Sequence, residues 1–194
     1  MADTAKLRIL AAAKAGLRKT GATELTIDMV AEDAACAKGL VHYHYKTKDQ
    51  LVAAAADSLL SDYEAKWAAA LRTGSPDEAI SKTWALVVAE ARDGTPHAWA
   101  SLKSYGQNMT GQTVKIIVDR LSVTLSSGIR DLLDRNGFSL TISTDEVGRL
   151  AAAAVQGFEF QLAAGVAPET LEGSYAALWV GILALTRPTG VRRR

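Results

Sequence analysis

The residues with the most chemistry to offer lie together in the stretch 36-CAKGLVHYHYKTK-48, which holds Lys38, Lys46 and Lys48, His42 and His44, and Tyr43 and Tyr45 without one acid. Ammonium groups, imidazoles and phenols all donate to anionic oxygen, and a cluster of them free of carboxylates suits a polyanion. Elsewhere the charges nearly cancel, with 22 Lys and Arg against 21 Asp and Glu in 194 residues. Any attraction to a polyanion therefore comes from this local patch and not from net charge. The other reactive residue types form no set. His42 and His44 stand two apart, on different faces of a helix, and His97 is isolated, so no metal site is expected. A single cysteine, Cys36, excludes an intrachain disulfide and a cysteine-built zinc site, and fits a reducing compartment. There is no Gly-rich phosphate loop and no Ser-His-Asp order, so neither a cofactor nor an enzyme is expected. A helical enzyme would need titratable groups clustered after residue 60, and the sequence suggests none.

The elements that must position the basic cluster read as helices throughout. Apolar residues recur three and four apart from end to end, with Ser or Thr caps and Gly or Pro stops between them. The expected fold is all-α with nine helices. The first covers about residues 4–20, with Leu10, Ala13 and Leu17 on one face and Gly21 at its stop. The second starts at the N-cap Thr26 and carries Ile27, Val30, Ala31 and Ala34 on one side. After 35-ACA-37 comes a very short third helix over about 38–44. The fourth opens at 47-TKDQ-50, a capping box, and runs to about Arg72. Ser75, Pro76 and Glu78 start the fifth; Thr95 and Pro96 start the sixth, which fades near 106-GQNMTG-111; the seventh spans about 112–135 and stops at Asn136-Gly137. The eighth runs from Thr144 to about Ala164, and the ninth follows Pro168 and ends before Pro188.

Three short helices with a three-residue break before the third suggest a helix-turn-helix, whose second helix lies in the major groove of DNA. Val41 and Tyr45, one turn apart, form the core side of the third helix, leaving Lys38, Gly39, Leu40, His42 and Tyr43 outward. Lys38 can donate to guanine or phosphate, Gly39 permits close backbone approach, Leu40 suits a thymine methyl, and His42, Tyr43 and His44 can donate to phosphates. The alternative is a helical adaptor that binds a protein partner through the exposed aromatics of the 38–48 face.

The segment 26-TIDMVAEDAACAKGLVHYHYKTKDQLV-52, preceded by 9-ILAAAKAGL-17 and Gly21, resembles the TetR family of bacterial transcriptional regulators. The resemblance implies that residues matching Thr26 and Lys48 hold phosphates at the two flanks. It implies base contacts from Lys38, Gly39 and Leu40, and backbone contacts from His42, Tyr43 and His44. Three positions depart from the family pattern. Ala35 stands where glycine is usual in the turn; Ala37 replaces the usual Ser or Thr cap of the recognition helix; and Asp28 occupies a site that is neutral or basic in many relatives and would repel a nearby phosphate.

By the same resemblance, residues 1–46 form the DNA-binding domain, 47–188 the effector-binding and dimerisation domain, and 189–194 a disordered basic tail. A small molecule would bind between the fourth and eighth helices, while the eighth and ninth would pair with a second subunit. The segments 151-AAAAVQGFEFQLAAG-165 and 171-LEGSYAALWVGILAL-185, rich in small and large apolar residues, suit such close packing. Tyr63, Trp67, Trp84, Trp99, Tyr105, Gln156 and Phe158 are the candidate pocket residues, as aromatic rings with a few polar groups line small-molecule sites. Few charges fall within the expected apolar faces, which favours a neutral or weakly polar effector. The longest apolar run, 175-YAALWVGILAL-185, is too short for the roughly 20 residues that cross a bilayer, and the N-terminus lacks an export signal. The expected protein is thus a cytoplasmic, homodimeric repressor that leaves a double-stranded DNA operator when a small-molecule effector binds.

Overall fold

The computed structural model describes the backbone of residues 2–105 and 107–189, with the side chains of residues 2, 3, 107–114 and 117 outside the described set. The expected basic tail lies beyond it from residue 190 onward. Among the described residues the chain forms nine helices: α1 (Ala2–Glu24), α2 (Ile27–Asp33), α3 (Lys38–His44), α4 (Lys48–Leu71), α5 (Pro76–Arg92), α6 (Thr95–Ser104), α7 (Gln107–Arg135), α8 (Thr144–Ala163) and α9 (Pro168–Ala184). The all-α expectation holds, with one addition. Strands β1 (Phe138–Leu140) and β2 (Thr186–Pro188) pair antiparallel, Ser139 opposite Arg187. Three-residue runs carry no readable alternation, so the sequence pattern missed them.

The chain divides into two compact units. The first comprises residues 1–63 and 93–115, the second residues 64–92 and 116–194. In the first, α1, α2, α3, the early part of α4 and α6 enclose Ile9, Ala13, Leu17, Leu25, Val30, Val41, Leu51, Val52, Leu59, Ala98 and Leu102. In the second, the end of α4 and helices α5, α7, α8 and α9 enclose Trp67, Leu71, Val87, Leu121, Leu125, Ile129, Leu132, Val147, Val155, Tyr175 and Ile182.

Helix α6 joins the first unit through α1. Gly94 has φ 86°, and a Cβ there would lie 2.5 Å from the Arg18 carbonyl oxygen, so only glycine permits the approach. Arg18 donates from Nε to Thr95 Oγ1 at 3.2 Å, and the backbone N–H of Ala22, just beyond the kink at Gly21, donates to Ser101 Oγ at 3.0 Å. Two expected caps shift. Thr95 is inside α6, and Asp93 Oδ1 accepts from both its N–H (3.0 Å) and its hydroxyl (2.6 Å). Gln50 accepts from the N–H of Lys46, not Thr47, while Thr47 Oγ1 accepts from Gln50 as expected. Helix α7 begins at Gln107, several residues before its expected start, because Gly111 does not interrupt it. Gly94→Ala is expected to cost more than about 2 kcal/mol, combining a left-handed φ with a backbone clash. Ala35→Gly is expected to add on the order of 0.5–1 kcal/mol, since Ala35 has φ 49°. Urea denaturation of the two variants checks both.

Candidate nucleic-acid interface

The geometry of the basic cluster is built from α2 upward. Thr26 caps α2 by accepting the Met29 N–H at 3.2 Å. The left-handed Ala35 then turns the chain so that the Cys36 N–H reaches the Ala31 carbonyl at 3.0 Å. Helix α3 starts at Lys38 with no side-chain cap from Ala37. Val41 and Tyr45 are buried, and burial pushes the Tyr45 phenol up from its ordinary range. Lys38, Gly39, His42 and Tyr43 are exposed, and nothing lies within 4 Å of the space a Gly39 side chain would fill. Leu40 is half-buried and packs partly on the core. His44 is half-buried, its Nε2 shielded without a hydrogen-bond partner and its ring edge-on to Tyr43 at 5.1 Å. Cys36 is a free, half-buried thiol against the same core.

Each lysine of the cluster has a resting place on the protein. The Lys38 ammonium donates to Asp28, at 2.8 Å to Oδ1 and 2.9 Å to Oδ2. Both side chains are more than half exposed, so water screens the pair and its contribution is at most about 1 kcal/mol. Lys46 lies 5.7 Å from the centre of the Tyr43 ring and donates to the Tyr43 carbonyl at 3.3 Å. Lys48 donates to the Thr23 carbonyl at 2.6 Å, and its ammonium stands 5.1 Å from the Tyr105 ring centre. Tyr105, the residue closing α6, donates from its hydroxyl to Asp49 Oδ1 at 2.5 Å. Burial first, then the Asp49 carboxylate, push the Tyr105 phenol up to about 12. The sequence gives no local signal for this link, because Tyr105 and Asp49 are 56 residues apart.

The seven candidate pocket residues divide between the units. Tyr63 and Trp99 meet edge-to-face at 6.2 Å in the first unit, which also holds Tyr105. Trp67, Trp84, Gln156 and Phe158 belong to the second. There Trp67 is buried, Gln156 is half-buried, and Trp84 and Phe158 meet edge-to-face at 6.2 Å. Tyr175, which the sequence reading did not single out, completes that aromatic group at 5.0 Å from Trp84 and 5.5 Å from Phe158. Its hydroxyl donates to Thr83 Oγ1 at 2.6 Å, and burial raises its pKa. Trp84 also lines an open cleft of about 390 Å³ with residues of α5 and the start of α9, including Arg92, Glu169 and Glu172. Against the sequence expectation of few charges in the apolar faces, Glu90 and Glu159 are buried in this unit. Among the described residues, no group of three or more His, Cys, Asp or Glu is placed to hold a metal ion.

Residues 9–55 match the family model for bacterial regulatory proteins, tetR family. The N-terminal segment is of the TetR family. The α2–α3 pair, a helix-turn-helix, lies inside that match. Solved structures extend the likeness to the fold of the chain. A TetR-family regulator from Agrobacterium tumefaciens superposes with a TM-score of 0.73 at 15% identity, over 94% of this chain and 99% of that one. A TetR transcription regulator from Haloarcula marismortui gives 0.70 at 20% identity, over 96% and 100%. The SmeT–triclosan complex gives 0.67 at 16% identity, over 98% and 95%. No curated protein matches the chain.

In the first unit Tyr105 holds the start of α4 through Asp49, and its ring stands beside the Lys48 ammonium. Tyr105→Phe keeps the ring but removes the bond to Asp49. The variant is expected to lose about 0.5–1.5 kcal/mol of stability below pH 10. The raised pKa gives the difference its pH dependence. The wild-type advantage is fully present below pH 10, where the phenol is neutral in both folded and unfolded chains, and is lost as pH rises through about 12. Denaturant titrations of both proteins at pH 8 and 11 check the sign.

Proposed function

We propose that the protein is a transcriptional regulator that binds a pseudo-palindromic DNA operator as a homodimer and is released by a small molecule, acting as a repressor in the cytoplasm and not as an enzyme. The observation that carries this reading is the TetR-type helix-turn-helix, whose recognition helix exposes Lys38, Gly39, His42 and Tyr43 beside a lysine-bearing α4 start. Lys38, Gly39 and the accessible part of Leu40 read bases, and His42, Tyr43 and His44 contact the backbone. Thr26 and Lys48 grip phosphates at the flanks; the Thr26 oxygen accepts from Met29, which leaves its hydroxyl proton to donate. On docking, the Lys38 and Lys48 ammonium groups exchange Asp28 and the Thr23 carbonyl for DNA, so the resting contacts lower the net gain.

A seven-residue reading helix buries too little surface to specify a site alone, and duplication supplies the rest. Two copies spaced by about 34–36 Å would meet successive major grooves. The second unit offers a surface for that pairing. Leu150, Ala153, Gly157 and Phe160 on α8, with Ala176, Ala177, Val180 and Gly181 on α9, are all exposed, Phe160 at 72% and Val180 at 66%. No side chain covers Gly157 or Gly181, so a second helix pair can approach closely. In this scheme residues 1–46 read DNA and 47–188 sense the effector and dimerise. Tyr63, Trp67, Trp84, Trp99, Tyr105, Gln156 and Phe158 remain the candidate ligand contacts. One structural neighbour was solved with triclosan, which is in keeping with a small organic effector here. The effector acts by preferring a conformation in which the two recognition helices no longer fit the operator.

Gel shifts on fragments selected from random DNA test the reading, and absence of any sequence-preferring binding would sink it. Binding is expected to weaken steeply with salt, the log–log slope losing about 0.9 for each phosphate contact removed. Lys48→Ala should weaken operator and random DNA alike, while Lys38→Ala should relax chiefly one base position at a cost of about 1–3 kcal/mol. Asp28→Asn should strengthen binding roughly two- to fivefold, because Lys38 is freed and a charge that repels phosphate is gone. Val180→Glu should leave a folded monomer by sedimentation and abolish operator binding.

A further inference from the structure

Glu90 lies on the buried stripe of α5, in line with Ala79, Thr83 and Val87, and is 1% exposed. Its Oε1 accepts from the Lys66 ammonium at 2.5 Å. Its Oε2 is buried with no hydrogen-bond partner. An ionised carboxylate can accept about four hydrogen bonds, and burying one with half its capacity unused is costly. Lys66 does not offset that cost fully, because its side chain is 44% exposed and solvent screens a charge so placed. Glu159, nearly as buried on α8, has an interaction of its own within the protein. Among the described residues, Glu90 Oε2 is the one buried carboxylate oxygen without a partner.

We propose that Glu90 anchors the effector, and that the effector is an amphipathic organic cation, a protonated amine or amidine whose N–H groups donate to Oε2 while its apolar body packs among the neighbouring helices. A cation is favoured over a neutral donor because the exposed Lys66 leaves the buried charge incompletely balanced. The proposal rests on the effector-binding role given above to this unit, and it replaces the neutral effector expected from the sequence with a charged one.

The test uses the full-length protein and matched probes: 4-phenylbutylamine and longer arylalkylamines against alcohols of the same skeleton, followed by thermal shift and intrinsic tryptophan fluorescence. The amines are expected to bind at least tenfold more tightly than the alcohols. Glu90→Gln, nearly isosteric, should remove that preference. Lys66→Met, which leaves Glu90 without its partner, should tighten amine binding at least threefold, a gain that a purely structural ion pair would not give. Equal binding of amines and alcohols, amine binding unchanged in Glu90→Gln, or no amine binding up to millimolar concentration would each overturn the proposal. Operator release, measured in parallel by fluorescence anisotropy, separates the two readings. Glu90-dependent amine binding that leaves operator occupancy unchanged supports the site and refutes its regulatory role. Release by alcohols that is indifferent to Glu90 does the reverse.

Discussion

Burial of Val41 and Tyr45 is the constraint on which the DNA-facing surface depends. A helix of seven residues closes too few hydrogen bonds to persist alone, and α3 also lacks a side-chain cap. Its stability comes from the first unit's core, where Val41 is fully buried and Tyr45 nearly so. Each such side chain contributes roughly 1.5–3 kcal/mol by leaving water. The helical period then dictates the rest: with those two residues inward, Lys38, Gly39, His42 and Tyr43 must face out. Core and proposed reading surface are two sides of about two turns of helix.

The same constraint governs the charges. A cluster of lysines without acids of its own repels itself, and the fold answers with contacts from other elements. Asp28 comes from α2, the Thr23 carbonyl from the chain just past the Gly21 kink, and the Tyr105 ring from the end of α6. These partners are exposed or only half-buried, so they hold the ammonium groups weakly, as the proposed exchange for phosphate requires. Asp28, which reads in the sequence as an obstacle to phosphate, is in the fold a resting partner for the residue proposed to read bases.

The second unit follows the opposite rule. Its interior holds acids, and one of them is left with unused acceptor capacity. In the first unit the clustered charge lies outside, positive and loosely held by its resting partners; in the second a carboxylate oxygen without a partner lies inside. A protein that responds to both a polyanion and an organic cation would need that division, and its inner half arises from where Glu90 on α5 and Glu159 on α8 fall relative to their buried faces.

The local layer was legible from sequence. The bounds of α3, the Thr26 cap, the Ser75-Pro76 start of α5 and the stop at Gly137 follow from signals within four or five residues, because helix hydrogen bonds and caps span no more than that. Thr95 shows the limit: its cap came from Asp93, two residues back, through a left-handed Gly94 against which α1 packs. What tertiary structure alone decided was which distant groups meet. Tyr105 joins Asp49 across 56 residues and Tyr175 joins Thr83 across 92. Glu90 shares a helix face with Ala79, Thr83 and Val87 by its spacing, but that a carboxylate is buried there was decided by packing. Periodicity assigns a residue to a face, but whether that face is dry, and what it meets there, depends on packing between helices that no short window contains.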